Sequence, residues 1–284
     1  MGCCSSRQIP VNETKKNFND IKDESSIKKT EPGELKTEYK INLIYRVNPK
    51  KIYQIFGENF VKKNKNNIEL VIDGKPSILV DKYELNIGDN NVTMIIKNKL
   101  IDISYMFSQC KFLKDISELK YLDVSESKTF ENMFSGCAFI SDIKSLENWN
   151  VSNCNNFEGM FSGCHSLSDI SPLENWDVSN GTNFKNMFND CISLSDLKGL
   201  ERWDVSKATN FSYMFYFCSA LININPLKNW NVSNCNNFEN MFNFCLRLID
   251  INPLKNWNIS NGSNVDDMFT IGFPSLEDLR PKKK

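Results

Sequence analysis

Residues 156–178 read NFEGMFSGCHSLSDISPLENWDV, and close variants of this stretch return every 27 residues along the chain. The Met-Phe pair within it keeps this spacing seven times, at Met106, Met133, Met160, Met187, Met214, Met241 and Met268. A fixed period of this length is typical of proteins built from stacked coils, because one such coil is too small to bury its apolar side chains alone. The chain is therefore predicted to be a repeat solenoid.

The spacing of apolar residues within one coil predicts a short helix. Phe157, Met160, Phe161 and Cys164 stand at i, i+3, i+4 and i+7, which places them on one helical face. The Asn-x-x-Glu stretch at 155–158 resembles a capping box at the start of that helix.

Two further stretches of the coil predict short strands. Trp176–Val178 alternates between apolar and polar residues, and 167–171 is a second candidate. Each coil is thus predicted as helix, strand, corner and strand, a mixed α/β arrangement. An Asn precedes the first Phe of most coils, and stacking is expected to align these residues into a ladder that satisfies polar groups. They are Asn156, Asn183, Asn210, Asn237 and Asn264.

Tryptophan and cysteine also follow the 27-residue period. All five Trp occupy one repeat position, at Trp149, Trp176, Trp203, Trp230 and Trp257. Six of the ten Cys occupy another, at Cys110, Cys137, Cys164, Cys191, Cys218 and Cys245. The Trp position is predicted to face the core. Cysteines placed by a repeat are not a disulfide framework and fit a reducing compartment, where a thiol serves as a small buried apolar group.

The pattern Phe-x-x-Met-Phe-x-x-Cys-x-x-Leu-x-x-Ile, followed by Trp-x-Val-Ser, resembles the BspA-like leucine-rich repeats of bacterial lipoproteins and protist proteins. The resemblance covers residues from about 100 to 279. It implies a leucine-rich-repeat-like solenoid of short helices and short strands, with a role in surface contact or protein binding. Unlike the bacterial pattern, this chain shows no apolar segment typical of an export signal, so we expect no secretory signal peptide.

Composition divides the chain into four expected parts. Residues 1–35, rich in Ser, Asn, Lys and Glu, are predicted to be a flexible tether. Residues 36–102 are expected to form a small, mostly β cap on the first coil, with strands at 40–47 and 68–72. The solenoid follows at 103–279, where acidic residues outnumber basic ones, and a basic tail occupies 280–284.

Three details of the cap are also predicted. Asp73-Gly74 is a hairpin turn signal, and Pro76 after it favours an edge strand. Residues 52–61 are left open between helix and strand.

The sequence Met1-Gly2-Cys3-Cys4-Ser5-Ser6 fits the pattern for N-myristoylation of Gly2, with Cys3 and Cys4 as palmitoylation sites. One myristoyl chain binds membranes only weakly, so the second signal would have to be palmitate. The first 35 residues have no excess of basic side chains that would replace it.

Residues suited to catalysis or metal binding are sparse. His165 is the only His and falls at a variable repeat position, which favours a solvated loop residue. An Asp recurs with the repeat at Asp115, Asp142, Asp169, Asp196 and Asp250. One interpretation is a ladder of carboxylates that binds cations. The favoured interpretation is an acidic face exposed to solvent. We expect no catalytic residue, metal or cofactor.

Aromatic residues that the repeat does not dictate are the candidate partner-binding residues. Tyr213, Tyr216, Phe217 and Phe244 crowd coils five and six, and Phe112 with Phe139 forms a similar pair near the first coil. Exposed aromatic clusters are frequent binding hot spots. The competing interpretation is that these rings pack over coil corners.

These features favour a non-enzymatic protein-interaction module tethered by acyl chains to the cytosolic leaflet of the plasma membrane or an endomembrane. Its expected partner is a protein, and the near-neutral net charge of −1 gives no reason to expect nucleic acid. The alternative is a cell-surface adhesion or host-contact protein of the BspA-like type, which glycans on Asn150 or Asn231 would favour. An enzyme is the least favoured class.

Overall fold

The computed structural model describes residues 39–269, which belong to one compact unit assigned to Lys36–Lys284. The predicted tether at 1–35, the acylation sites Gly2, Cys3 and Cys4, and the basic tail at 280–284 lie outside the described residues. The described secondary structure is mostly strand and turn, with one short α-helix.

Short elements make up the N-terminal part of the described chain. The strands and the helix are β1 (Tyr39–Val47), β2 (Lys51–Gln54), α1 (Glu58–Asn64), β3 (Ile68–Ile72), β4 (Lys75–Ile78), β5 (Lys82–Leu85), β6 (Gly88–Ile96) and β7 (Leu113–Asp115). One sheet has the order β4-β3-β6-β1-β7 and is antiparallel throughout, while β2 and β5 form a separate pair. Alternate residues of β1 are fully buried, so one face of the sheet packs on the core and the other meets solvent.

The strand predictions in this part are confirmed at 39–47 and 68–72. Asp73 and Gly74 have φ angles of 46° and 78°, as expected for a tight hairpin turn between β3 and β4. Pro76 lies in the edge strand β4, as predicted. The ambiguous stretch 52–61 contains both a strand and the start of α1.

The N-terminal sheet is continuous with the first coil of the repeat. Strand β7 belongs to that coil and pairs with β1, and the Arg46 backbone N–H donates to the Phe112 carbonyl over 3.1 Å. The Gly57 N–H donates to the Met106 carbonyl over 3.0 Å. The buried residues of sheet and coils form one apolar cluster, so the first coil does not expose its apolar face.

Within residues 103–269, the predicted helix of the coil is wrong. In the third coil, residues 157–164 form consecutive turns closed by Met160 N–H to Phe157 O and Cys164 N–H to Phe161 O. Gly159 and Gly163 have positive φ angles of 63° and 72°, which an α-helix does not contain. Their N–H groups donate to carbonyls of the next coil over 2.8 and 2.7 Å. The i, i+3, i+4, i+7 residues are still buried together, because the turns aim the same positions inward.

The predicted capping box is also wrong, by one residue. The side-chain oxygen of Asn156, not Asn155, accepts the N–H of Glu158 over 3.1 Å. The same local turn recurs at Asn237 and Glu239 over 3.0 Å. This Asn also forms isolated parallel bridges with its equivalents in neighbouring coils, which confirms the Asn ladder.

Within residues 130–269, the two predicted strands of a coil are not formed, apart from an isolated bridge between Asp196 and Asn223. Residues 176–178 belong to no strand, and 168–170 lead into a 3-10 turn at Ser171–Leu173. Pro172 at the start of that turn fixes φ and has no N–H to give to a strand ladder. Among the coils that the structure describes at this stretch, the first alone forms a strand there, β7, because β1 lies beside it.

The inward positions predicted from the period are confirmed. Every Trp is at most 6% exposed, and each Trp Nε1 donates to the carbonyl of a Leu 30 residues earlier over 2.9–3.1 Å. The repeat cysteines are free thiols, and five of them donate to a Phe carbonyl in the preceding coil over 3.1–3.3 Å. Each coil is thus joined to its neighbours by backbone, indole and thiol hydrogen bonds.

Candidate functional site

Four of the predicted binding residues meet in space and define what we call the aromatic cluster: Tyr213, Tyr216, Phe217 and Phe244. The Phe217 and Phe244 rings lie 5.4 Å apart, and the Tyr216 ring meets Phe244 edge-on at 5.5 Å. Tyr213 contacts Tyr216 at 5.4 Å. These separations are those of directly packed aromatic pairs. Phe217 is 41% exposed and Phe244 38% exposed, so the cluster presents ring surface to solvent.

The backbone at the two Phe positions has the left-handed conformation. Phe217 has a φ of 61° and Phe244 a φ of 59°. The same repeat position is left-handed in the earlier coils too, where it holds Gln109, Gly136, Gly163 and Asp190 with φ angles of 65°, 77°, 72° and 58°. A residue with a side chain costs roughly 1–2 kcal/mol in this conformation, whereas Gly adopts it freely. Earlier coils have Gly, Gln or Asp at this position, so a large ring is not needed for the local backbone.

Tyr213 differs from the other three cluster residues because the fold uses its side chain. Its hydroxyl donates to Glu239 Oε1 over 2.8 Å, and this hydrogen bond raises the pKa of Tyr213. Tyr105, at the same repeat position four coils earlier, makes the matching bond to Glu131. Tyr213 thus bridges two coils at one edge of the cluster.

Exposed aliphatic residues extend the apolar surface of the same two coils. Ile222 and Ile249 are 46% and 85% exposed, and Leu246 is exposed beside Phe244 in the chain. Ile222 and Ile249 share one repeat position, where Ser141, Ser168 and Ser195 stand in earlier coils. The sequence prediction missed these residues because it compared only aromatic side chains. The Ser-to-Ile change at this position was the available signal.

Phe112 and Phe139, the other predicted pair, also contact each other, with ring centroids 5.6 Å apart. They lie near the end of β1 rather than in the aromatic cluster. Phe112 is partly buried against Tyr53, and Phe139 is 50% exposed. The structure therefore divides the six candidate residues between two separate surfaces.

The polar residues that raised the question of catalysis or metal binding have structural partners. His165 Nε2 lies 2.8 Å from Asp190 Oδ2 at the surface. Asp142, Asp169 and Asp196 each accept the N–H of the residue two positions later over 2.7–2.8 Å, which fixes the turn before each 3-10 segment. Within residues 39–269, no group of three or more His, Cys, Asp or Glu side chains is placed to hold a metal ion.

The thiols are unsuited to nucleophilic chemistry. Burial raises the pKa of Cys235 to about 11 and the pKa values of Cys154 and Cys245 to about 12. The thiolate is the reactive form of cysteine. These groups are therefore protonated at neutral pH and serve as packing and hydrogen-bonding groups. In the part of the chain that the structure describes, there is also no helix with the length and apolar character needed to cross a bilayer.

Comparison with known proteins gives one family. A family model described as "Mycoplasma protein of unknown function, DUF285" matches residues 83–198 and 194–274. The matches span most of the repeated part of the sequence, include β6 and begin within β5. No curated protein and no solved structure matches the chain.

Proposed function

The chain belongs to the DUF285 family of BspA-like repeat proteins, and we propose that it is a non-enzymatic protein-interaction module. In this proposal the 27-residue coils form a leucine-rich-repeat-like solenoid that acts as a scaffold. The exposed face of coils five and six, centred on the aromatic cluster, binds a protein partner. The scaffold role is supported by hydrogen bonds that repeat from coil to coil along the described residues.

The observation that carries the binding role is the presence of Phe217 and Phe244 at a left-handed backbone position where earlier coils have Gly, Gln or Asp. The fold does not require a ring there, since Gly136 and Gly163 occupy the same position without one. Partly exposed aromatic rings flanked by exposed Ile and Leu side chains match the composition of binding hot spots. Recognition of a partner is the simplest explanation for large side chains at a backbone conformation that is unfavourable for them.

A photo-crosslinking experiment tests this site. Benzoylphenylalanine in place of Phe217 is expected to yield a discrete crosslinked partner in cells, because the ring is at the contact surface. The same residue in place of the exposed Glu201, on the adjoining coil but outside the cluster, is the control and should yield none.

The Phe217→Gly/Phe244→Gly double variant extends the test. We expect the amount of co-purified partner to fall at least tenfold, because truncation of a hot-spot residue costs about 2 kcal/mol or more of binding free energy. Ile87→Ser, which removes an even more exposed apolar side chain from the N-terminal part, should retain the partner. Equal crosslinking from positions 201 and 217, or full retention of the partner by the double variant, would refute the site.

We further propose that the module is held on the cytosolic leaflet through acyl chains on Gly2, Cys3 and Cys4. The support is the sequence pattern alone, since these residues lie outside the described part of the chain. One acyl chain gives marginal binding of about 10⁴ M⁻¹, and a second makes it long-lived. The adhesion alternative is supported by Asn150 and Asn231, whose glycosylation sequons lie on the exposed surface.

Membrane fractionation of cells distinguishes the acyl-anchored location from the cell-surface alternative. Gly2→Ala should abolish incorporation of a myristate analogue and release the protein into the supernatant. Cys3→Ser with Cys4→Ser should keep the label but pellet only weakly with membranes. A Gly2→Ala protein that pellets like wild type contradicts acyl anchoring, and a mass decrease on glycosidase treatment favours the adhesion alternative.

A further inference from the structure

A cleft opens where the end of β1 meets the first two coils. Its volume is about 420 Å³, within the range of ligand-binding sites in proteins. Val47, Phe112 and Phe139 supply apolar surface, and Arg46 and Lys114 supply the charged groups. The sheet contributes one side and the coils the other, so the cleft depends on the pairing of β1 with β7.

The aromatic floor of the cleft is held in place before any ligand arrives. The Phe112 ring packs edge-on against Tyr53 at 4.8 Å, and the Tyr53 hydroxyl donates to the Pro49 carbonyl over 2.6 Å. The Phe112 carbonyl is fixed by the Arg46 N–H. Phe139 lies against Phe112 but remains 50% exposed. A ligand side chain would therefore gain aromatic contact without ordering the floor.

The rim of the cleft carries an excess of positive charge. Arg46 is paired with Asp89, with Nη2 2.6 Å from Oδ2, and Lys114 Nζ lies 3.8 Å from the same carboxyl oxygen. Two cations thus share one carboxylate. Lys111 Nζ lies 5.9 Å from the centre of the Phe112 ring and adds a third cation nearby. A guanidinium has five N–H donors, of which Asp89 uses two, so donors remain for a second carboxylate.

We propose that this cleft binds a peptide segment of a partner protein in which an apolar side chain is flanked by carboxylates. The apolar side chain packs on Phe112 and Phe139, and a carboxylate pairs with Lys114 and Arg46. Cationic donors and an exposed ring in one concave site fit this chemistry better than a purely apolar ligand, which would leave the charged groups of the rim without a partner from the ligand. The inference does not rest on the aromatic cluster, which lies on other coils.

The experiment uses the full chain with isotope labelling and two defined peptides, Ser-Asp-Phe-Asp-Ser and its charge-reversed counterpart Ser-Lys-Phe-Lys-Ser. The acidic peptide is expected to shift the amide signals of 46–48, 112–114 and 139–141. It should bind about fivefold or more tightly than the basic one, which is the effect of one exposed ion pair worth ~1 kcal/mol. Raising the salt concentration should reduce this preference.

Three variants complete the test. Lys114→Glu should reverse the preference between the two peptides, and this reversal requires a folded protein. Phe139→Ser should weaken both peptides about tenfold, while Phe217→Gly/Phe244→Gly should bind both as wild type does. Equal affinity for the two peptides, or shifts confined to other residues, would overturn the proposal. Concentration-dependent doubling of the mass, with the same cleft signals perturbed, would also overturn it by assigning the cleft to a second copy.

Discussion

The unfolding free energy is expected to fall steeply once the pH rises above about 8.5, which is the ordinary pKa of a cysteine thiol. The described residues contain eight buried thiols, and burial raises the pKa of each. Below this ordinary pKa, the thiols are protonated in both the folded and the unfolded state, and their full contribution to stability is present. Above it, thiols of the unfolded chain release protons that the folded chain keeps. Stability is therefore lost until the pH reaches the raised pKa values, which are about 11 for Cys235 and about 12 for Cys154.

The size of this effect follows from the number of thiols. Each thiol lowers the unfolding free energy by up to ~1.4 kcal/mol per pH unit in this window. Eight thiols together lower it by on the order of 10 kcal/mol per pH unit. That is comparable to the whole stability of a typical domain. Urea unfolding at pH 7.5, 8.5 and 9.5 in the presence of a phosphine reductant should therefore show a collapse at the highest pH. A stability that is flat from pH 7.5 to 9.5 would contradict the burial of these thiols.

A matched control comes from the repeat itself. Cys154 and Cys235 share a repeat position with Ala208, which is fully buried. Cys154→Ala with Cys235→Ala should therefore fold and should reduce the pH slope by ~3 kcal/mol per unit, because two of the eight titrating groups are removed. An unchanged slope would assign the alkaline loss to other groups.

Trp203→Ala is expected to lower the unfolding free energy by ~3–5 kcal/mol, the range for large aromatic truncations in a core. Trp203 is 4% exposed and packs on Phe184 at 5.9 Å. Its Nε1 donates to the Leu173 carbonyl in the preceding coil over 2.9 Å, and the variant loses this hydrogen bond between coils. Because coils depend on their neighbours, the loss is expected to reach the coils on both sides.

Equilibrium urea unfolding measures this effect, and Trp203→Phe is its control. The Phe variant keeps most of the packing but loses the indole hydrogen bond, so its cost should be clearly smaller. A Trp203→Ala protein as stable as wild type would mean that the indole hydrogen bonds between coils do not hold the stack together.

The sequence predicted which positions are buried better than it predicted how the backbone runs between them. The spacing of Phe157, Met160, Phe161 and Cys164 fits a helix face, but consecutive tight turns bury the same positions. Gly159 and Gly163 were the signal against the helix, since their positive φ angles let the backbone turn and bond to the next coil. Periodicity alone does not separate the two, because both place every third or fourth residue inward.

The candidate binding residues were predicted in part. Tyr216, Phe217 and Phe244 stood out because other coils have small or polar residues at their positions. Tyr213 stood out for the same reason, although its bond to Glu239 repeats that of Tyr105 to Glu131. The cleft beside Phe139 was beyond local reasoning, since it exists only because β1 pairs with β7. Pairing between such distant stretches has no signature in the spacing of either one.

The central claim is that the aromatic cluster serves recognition and not the stability of the fold. Urea unfolding of the Phe217→Gly/Phe244→Gly variant tests this most directly. Relief of two left-handed side-chain positions, at ~1–2 kcal/mol each, should largely offset the lost ring contacts, at ~0.5–1.5 kcal/mol for each pair. We expect the unfolding free energy to fall by no more than ~2 kcal/mol. A loss of ~3–5 kcal/mol, as for a core aromatic residue, would show that the cluster belongs to the packing of the coils and would contradict the account.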